Sequence, residues 1–300
     1  MAGFSIQEVA LGGFAAVRAH PRALLVWTPF AFAVSLIAEV VFVQAGGQTV
    51  DWSVLGEDPA KVSALLQKVA PAELALLLMA VVTNAFVQAA MMRLVFSPGA
   101  ARFGFFRIGA DELRQLGLEI LALVVLMGGY FGFAVVASII MVAISGLGAP
   151  TNVAGLIAGV SAALVVLAAV FVRLSLAVPL TFDTGRINLF GSWRLTRGQF
   201  WPILGTYILV IALVAAVWVF ANVLFFGLAE FVLGRDMPAL MGPPQNVAGS
   251  FTPMRLIAAL FSAFVTALIW PVLLTPPARI YRSLKQPSPV RFGAGPQPWA

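Results

Sequence analysis

The chain has 300 residues, of which 61% are hydrophobic and 10% charged, with a formal net charge of +6. A soluble protein covers its surface with about 25% charged residues, so this composition excludes a water-soluble globule and fits a chain solvated by lipid. The absence of Cys excludes disulfides and thiolate metal sites, and one histidine (His20) with 12 scattered acids forms no ligand cluster.

Residues 3–20 are predicted to form an interfacial amphipathic helix. Phe4, Ile6, Val9, Leu11, Phe14 and Val17 make its apolar stripe, with Gln7, Glu8 and Arg18 off it. No basic residue precedes Arg18, and the apolar stretch from Ala23 is too long for a signal-peptide core. That stretch is therefore expected to be a retained first span, 23–45, holding Pro29 and Glu39. After the polar loop 46–59, Asp58-Pro59 supplies an N-cap and a first-turn proline for a short amphipathic helix near 60–69. Span two follows at 72–96, uncharged between Glu73 and Arg93, and then a basic loop, 97–116, with Arg102, Arg107 and Arg114.

Residues 120–172 contain no Asp, Glu, Lys or Arg. That run is twice the ~20 apolar residues that cross a bilayer once, and the turn-rich stretch 145–152 divides it into spans three (117–144) and four (154–180). A second polar loop is expected at 182–200, span five at 201–232, a Pro- and Gly-rich loop at 234–252, and span six at 253–277. The tail carries Arg279, Arg282, Lys285 and Arg291 before becoming Pro- and Gly-rich.

These boundaries put 14 of the 18 Lys and Arg residues on one side, leaving Lys61, Lys68, Arg235 and Arg255 on the other. The positive-inside rule then places both termini in the cytoplasm, which requires an even number of spans. The expected protein is an all-α integral membrane bundle of six transmembrane helices in a bacterial inner membrane. Its parts are an interfacial segment (1–22), a six-span domain (23–277) and a cytoplasmic tail (278–300). Cations confined to short loops point to anionic lipid headgroups, each worth about 1 kcal/mol, and not to nucleic acid. The phrases Arg93-Leu94, Arg173-Leu174 and Arg279-Ile280 end the even spans alike, as spans ending in the cytoplasm generally do.

The densest segment is 173–205. Asn188 is placed to cap a short helix, 189–197, with Gly198 following it as a left-handed stop, and Trp201-Pro202 starts span five. This helix is expected to lie flat at the interface, with Trp193 and Trp201 in the aromatic belt and Arg186, Arg194 and Arg197 reaching phosphates. Arg107 and Arg114 join the same rim. Arg173, Leu176, Pro179, Asp183, Ser192, Leu195, Thr196, Gly198 and Trp201 together resemble the membrane domain associated with glycerophosphodiester phosphodiesterases and related bacterial multi-span proteins. The loop 105–114 is also similar to a phrase in proteobacterial membrane proteins. The resemblance implies a membrane domain and not the phosphodiesterase reaction, which needs a separate soluble barrel with acids and histidines that this chain lacks.

Ionisable residues inside spans are functional candidates because burial in lipid is costly. Glu39 sits in the outer third of span one, where it approaches the surface, pairs with Arg255, or serves a substrate or proton. Glu119 and Arg173 lie at matching depth and are expected to pair across the span three/four hairpin. Asn84 and Gln88 share a face of span two, suited to interhelical bonds or a polar cavity. Gly128-x-x-x-Gly132 and Gly155-x-x-x-Gly159 suit close helix packing, and Gly128-Gly129 alternatively interrupts span three. Asp111-Glu112 suits the first turn of a helix.

No catalytic constellation, cofactor site or metal site is legible. The leading expectation is a non-enzymatic scaffold, assembly or lipid-organising protein, with membrane lipids as partners and a protein partner or a second copy left open. The alternative is a transporter or channel, in which Glu39, Asn84, Gln88 and Gly128-Gly129 would converge on one cavity.

Overall fold

The computed structural model describes residues 4–46, 59–100, 102–146, 153–234, 244 and 246–285. Among them, all regular structure is helical, and six segments are long and apolar enough to cross a membrane: Pro21–Gln44, Lys61–Phe96, Arg102–Phe133, Val165–Thr184, Phe200–Val232 and Pro253–Lys285. The protein is an all-α, six-span bundle.

Helix α1 (Ile6–Ala19) is capped by Ser5, whose Oγ accepts from the Glu8 N–H. A short 3-10 turn (Pro21–Ala23) leads into α2 (Leu24–Gln44). The expected short helix near 60–69 is not separate: it runs through Pro71 into span two as one helix, α3 (Pro59–Phe96). A proline disrupts an interior turn by removing one donor and crowding the preceding one, and here twelve residues of helix precede it. Asp58, the expected cap, lies outside the described residues. Likewise the first turns of α4 (Ala110–Gly146) take over the end of the expected 97–116 loop, with Asp111 and Glu112 in the first turn.

Span four is broken where one helix was expected. Helix α5 (Val153–Leu174) stops at Ser175-Leu176 and the chain resumes as α6 (Ala177–Thr184). The short helix of the second polar loop is α7 (Gly191–Leu195). It is shorter than the expected 189–197: its N-cap is Phe190, Asn188 stands two residues earlier and accepts the Gly191 N–H at Oδ1 at 2.8 Å, and Gly198 takes the left-handed φ of 79°. Span five is α8 (Phe200–Leu233), and α9 (Val247–Ser250) precedes α10 (Pro253–Leu274) and α11 (Pro276–Lys285). The turn 147–152 and the tail beyond 285 lie outside the described residues.

The helices neighbour one another in the order α4, α3, α2, α10, α8, α5. Helix α6 closes this arc at the arginine-rich end by packing on both α4 and α3. The core is concentrated at that basic end. One cluster joins Trp27, Val87, Met91, Phe105 and Ala267, and a second joins Val9, Val172, Leu176, Ile203, Tyr207 and Ile280. Towards the other end α4 and α8 present apolar side chains outward (Val124, Phe131, Val219, Phe231), as helices solvated by lipid tails do.

Helix α1 docks on α8, α10 and α11. Its buried face is Val9, Ala10, Gly12, Gly13 and Ala16, while Ile6 and Leu11 of the expected stripe are exposed. The reason is Gly13. A Cβ there would overlap the Val272 Cα and stand 2.6 Å from the Pro271 carbonyl oxygen, so α1 crosses α10 backbone to backbone.

Candidate functional site: the basic face of the bundle

The basic end is organised by Arg93 in the last turn of α3, whose side chain is 5% exposed. Its guanidinium pairs with Glu112 at 2.5 Å and Asp111 at 3.3 Å, and donates to the Phe105 carbonyl at 3.1 Å. Asp111 also pairs with Arg114 at 3.0 Å. Asp111 and Glu112 therefore do more than favour a helix dipole: they neutralise a buried cation from the preceding helix.

The loop between α3 and α4 wraps over this centre. Phe103, Gly104 and Phe105 have φ of 50°, 61° and 68°. Left-handed backbone is a real cost for bulky residues. It is held by fully buried Phe105, by the Trp27 indole N–H donating to the Gly104 carbonyl at 2.7 Å, and by the Arg93 bond. Phe103 consequently points outward, 69% exposed, with Arg102 beside its ring.

The corner α5–α6–α7 is built by the motif residues. Ser192 Oγ donates to the Arg173 carbonyl at 2.7 Å and accepts the Leu176 N–H at 3.0 Å, bridging the break in span four. Leu176, Pro179, Ser192 and Thr196 are buried. Asp183 accepts from the Tyr281 hydroxyl at 2.7 Å and pairs with Lys285 at 2.5 Å, tying α6 to α11.

Of the expected rim, Arg107, Arg186, Arg194, Arg197, Trp193 and Trp201 are exposed, and Arg114 is partly exposed beside Asp111. Between them stand apolar side chains not singled out from sequence: Phe103, Ile108, Leu113, Ile187 and Phe190, all exposed. Their signal was present as apolar residues inside basic loops. The face thus presents arginines and large apolar groups outward while Asp111, Glu112 and Asp183 are engaged in ion pairs.

Arg173 does not pair with Glu119. Its guanidinium lies over Trp193 and Phe200, at 5.7 and 6.0 Å from the ring centres. Glu119 instead accepts from Asn84 at 2.9 Å and Gln88 at 2.5 Å. The cause is the packing: α4 lies on α3 and α6, while α5 lies on α7 and α8. Asn84 and Gln88 do share a face, and it is an interhelical bond that uses them. Glu39 meets Arg255 at 3.3 Å, joining α2 to α10. Gly128, Gly129 and Gly132 lie in an unbroken α4 with open space beside each, so they mark neither a close helix contact within this chain nor an interruption. The surroundings of Gly155 and Gly159 fall outside the described side chains. Glu39, Asn84, Gln88 and Gly128-Gly129 are thus distributed over separate places and do not line one cavity.

What the fold and this face define is a class, the multi-pass α-helical membrane proteins. Compared with known proteins, the chain matches no family model, no curated protein and no solved structure.

Proposed function

We propose that this is a non-enzymatic protein of a bacterial inner membrane that organises anionic lipids, or assembles a membrane partner on them, with the basic face and both termini in the cytoplasm. One observation carries the reading: exposed Trp193, Trp201, Phe103 and Phe190 alternate with exposed Arg102, Arg186, Arg194 and Arg197, while the nearby acids are held in ion pairs. The amphipathic indole rings and the guanidinium groups suit the headgroup layer of a negatively charged leaflet, and the phenyl rings suit the apolar side of it. The resemblance of 173–205 to the glycerophosphodiester phosphodiesterase-associated membrane domain is in keeping with this, because its residues build the corner that displays the rim.

Native membranes extracted in mild detergent provide the test, with co-purifying lipids and proteins identified for wild type and R194Q/R197Q. The expected result is enrichment of anionic lipid, or of one membrane partner, that falls in the variant. Identical profiles would remove the rim as the working surface. Reporter fusions at the two ends are expected to read cytoplasmic for both.

A further inference from the structure

A cleft of about 280 Å³ opens on the basic face between α1, the end of α3 and α11, with the ring of His20 at its edge packed on Phe105. The lining of the cleft is mostly apolar (Ala15, Ala16, Ala19, Leu94, Val95, Pro98), with Arg279, Arg282 and His20 supplying its polar groups. We propose that this cleft is a binding site for the phosphate of an anionic phospholipid. The proposal rests on the lipid-organising reading above and gives that reading a defined seat.

Arg279 and Arg282 stand one turn apart on α11, so both project to the same side. Each makes one hydrogen bond to a carbonyl: Arg279 to Gly12 at 2.9 Å and Arg282 to Val95 at 2.8 Å. A guanidinium has five N–H donors, so donors remain on both. Ion pairs among the described residues involve Arg93, Arg114, Arg255 and Lys285, and among those residues neither Arg279 nor Arg282 has a carboxylate within 4 Å.

A purely structural role would be to neutralise the C-termini of α1 and α3, which end beside the cleft. Each contributes about half a negative charge, together about one unit against two guanidinium groups. The surplus is positive, and exposed Glu8, whose charge reaches Arg279, offsets only part of it. Val95 is among the last four carbonyls of α3, so Arg282 partly serves as its cap. Gly12 is in the middle of α1, and its carbonyl needs no cap. Arg279 is there because Gly12 leaves room: a Cβ would stand 2.5 Å from Arg279 Cζ and overlap Nε. A chain that only needed α1 capped would not require this lane across the helix. Basic pockets between spans on the cytoplasmic side are suited to phosphate headgroups. The volume takes a headgroup phosphate and falls short of the ~300–1,000 Å³ typical of whole small-molecule ligands.

The test uses the full chain in mild detergent, with native mass spectrometry of bound phosphatidylglycerol, bound phosphatidylcholine as control, and inorganic phosphate in a separate arm. Wild type is expected to retain phosphatidylglycerol over phosphatidylcholine. R279Q/R282Q is expected to lower that affinity about thirtyfold, at about 1 kcal/mol for each of two cations. G12A changes no charge and displaces only the flexible end of Arg279, and it too is expected to weaken retention. R194Q/R197Q is expected to lose the loosely held anionic lipid of the rim but to keep the tightly retained phosphatidylglycerol that R279Q/R282Q loses, so failure of the rim and failure of the cleft are separately visible. Equal retention by wild type and R279Q/R282Q, or equal retention of both lipids, overturns the site. Saturable binding of inorganic phosphate that competes with no lipid would make the ligand a soluble phosphate and overturn the lipid assignment.

Discussion

The most informative perturbation is Arg93→Met, a volume-similar loss of one buried charge. The removed guanidinium touches Glu112, Asp111 and the Phe105 carbonyl. Asp111 keeps Arg114 and partial exposure, but Glu112, with a side chain 3% exposed, is left charged and without a partner. Breaking a buried pair from one side costs about 3–5 kcal/mol, and the unsatisfied Phe105 carbonyl adds about 1–3 kcal/mol. At roughly 2–4 °C per kcal/mol for a chain of this size, R93M is expected to lower the unfolding midpoint by about 8 °C or more. Tryptophan fluorescence during heating in detergent reads it. Glu112→Gln leaves Arg93 with Asp111 and Phe105 and is expected to cost less. The double variant R93M/E112L removes both charges and is expected to recover most of the loss, because apolar replacements of buried pairs are often neutral. A midpoint for R93M within 2 °C of wild type, or a double variant no more stable than R93M, would refute the account of Arg93 as the centre of the basic end.

Gly13→Ala places a methyl against the Val272 backbone, where neither neighbour can yield. It is expected to cost about 1–3 kcal/mol as overpacking, and to raise protease accessibility of α1 relative to G12A, whose clash is with a side-chain end. Glu119→Leu leaves the Asn84 and Gln88 amides unpartnered. At about 0.6 kcal/mol per interhelical bond, a loss near 1 kcal/mol is expected in the same heating assay. Glu119→Gln, which keeps an acceptor, is expected to sit closer to wild type.

The spans were legible because crossing lipid demands some twenty apolar residues in a row, a requirement that leaves its trace locally. The Asn188 bond to the Gly191 N–H and the left-handed Gly198 were legible for the same reason, since each acts within three or four residues. Partners distant in sequence were not. Glu119 and Arg173 stand at equal depth, yet depth says nothing of azimuth, and Glu119 faces α3. Glu39 and Arg255 were among the open alternatives because both lie near the same end of adjacent spans. The apolar stripe of α1 was legible, and Val9 and Phe4 of it pack on the core, but its closest approach was not, because at Gly13 it is the lack of a side chain that makes the contact. Phe103 and Phe105 carry no local signal for left-handed backbone. Their conformation is imposed by Trp27 and Arg93, which belong to other helices.

Helix α3 spans 38 residues, about 57 Å at 1.5 Å per residue. The stretch from Glu73 to Arg93 alone matches a hydrocarbon slab of about 30 Å. The portion before Glu73 therefore continues the helix for about 20 Å at the end away from Arg93, part of it within the headgroup layer. Lys61 and Lys68 lie along this extension, and Val69, next to Lys68, is buried. A fluorophore set there would report on the protein from the end opposite the arginine-rich face without disturbing that face.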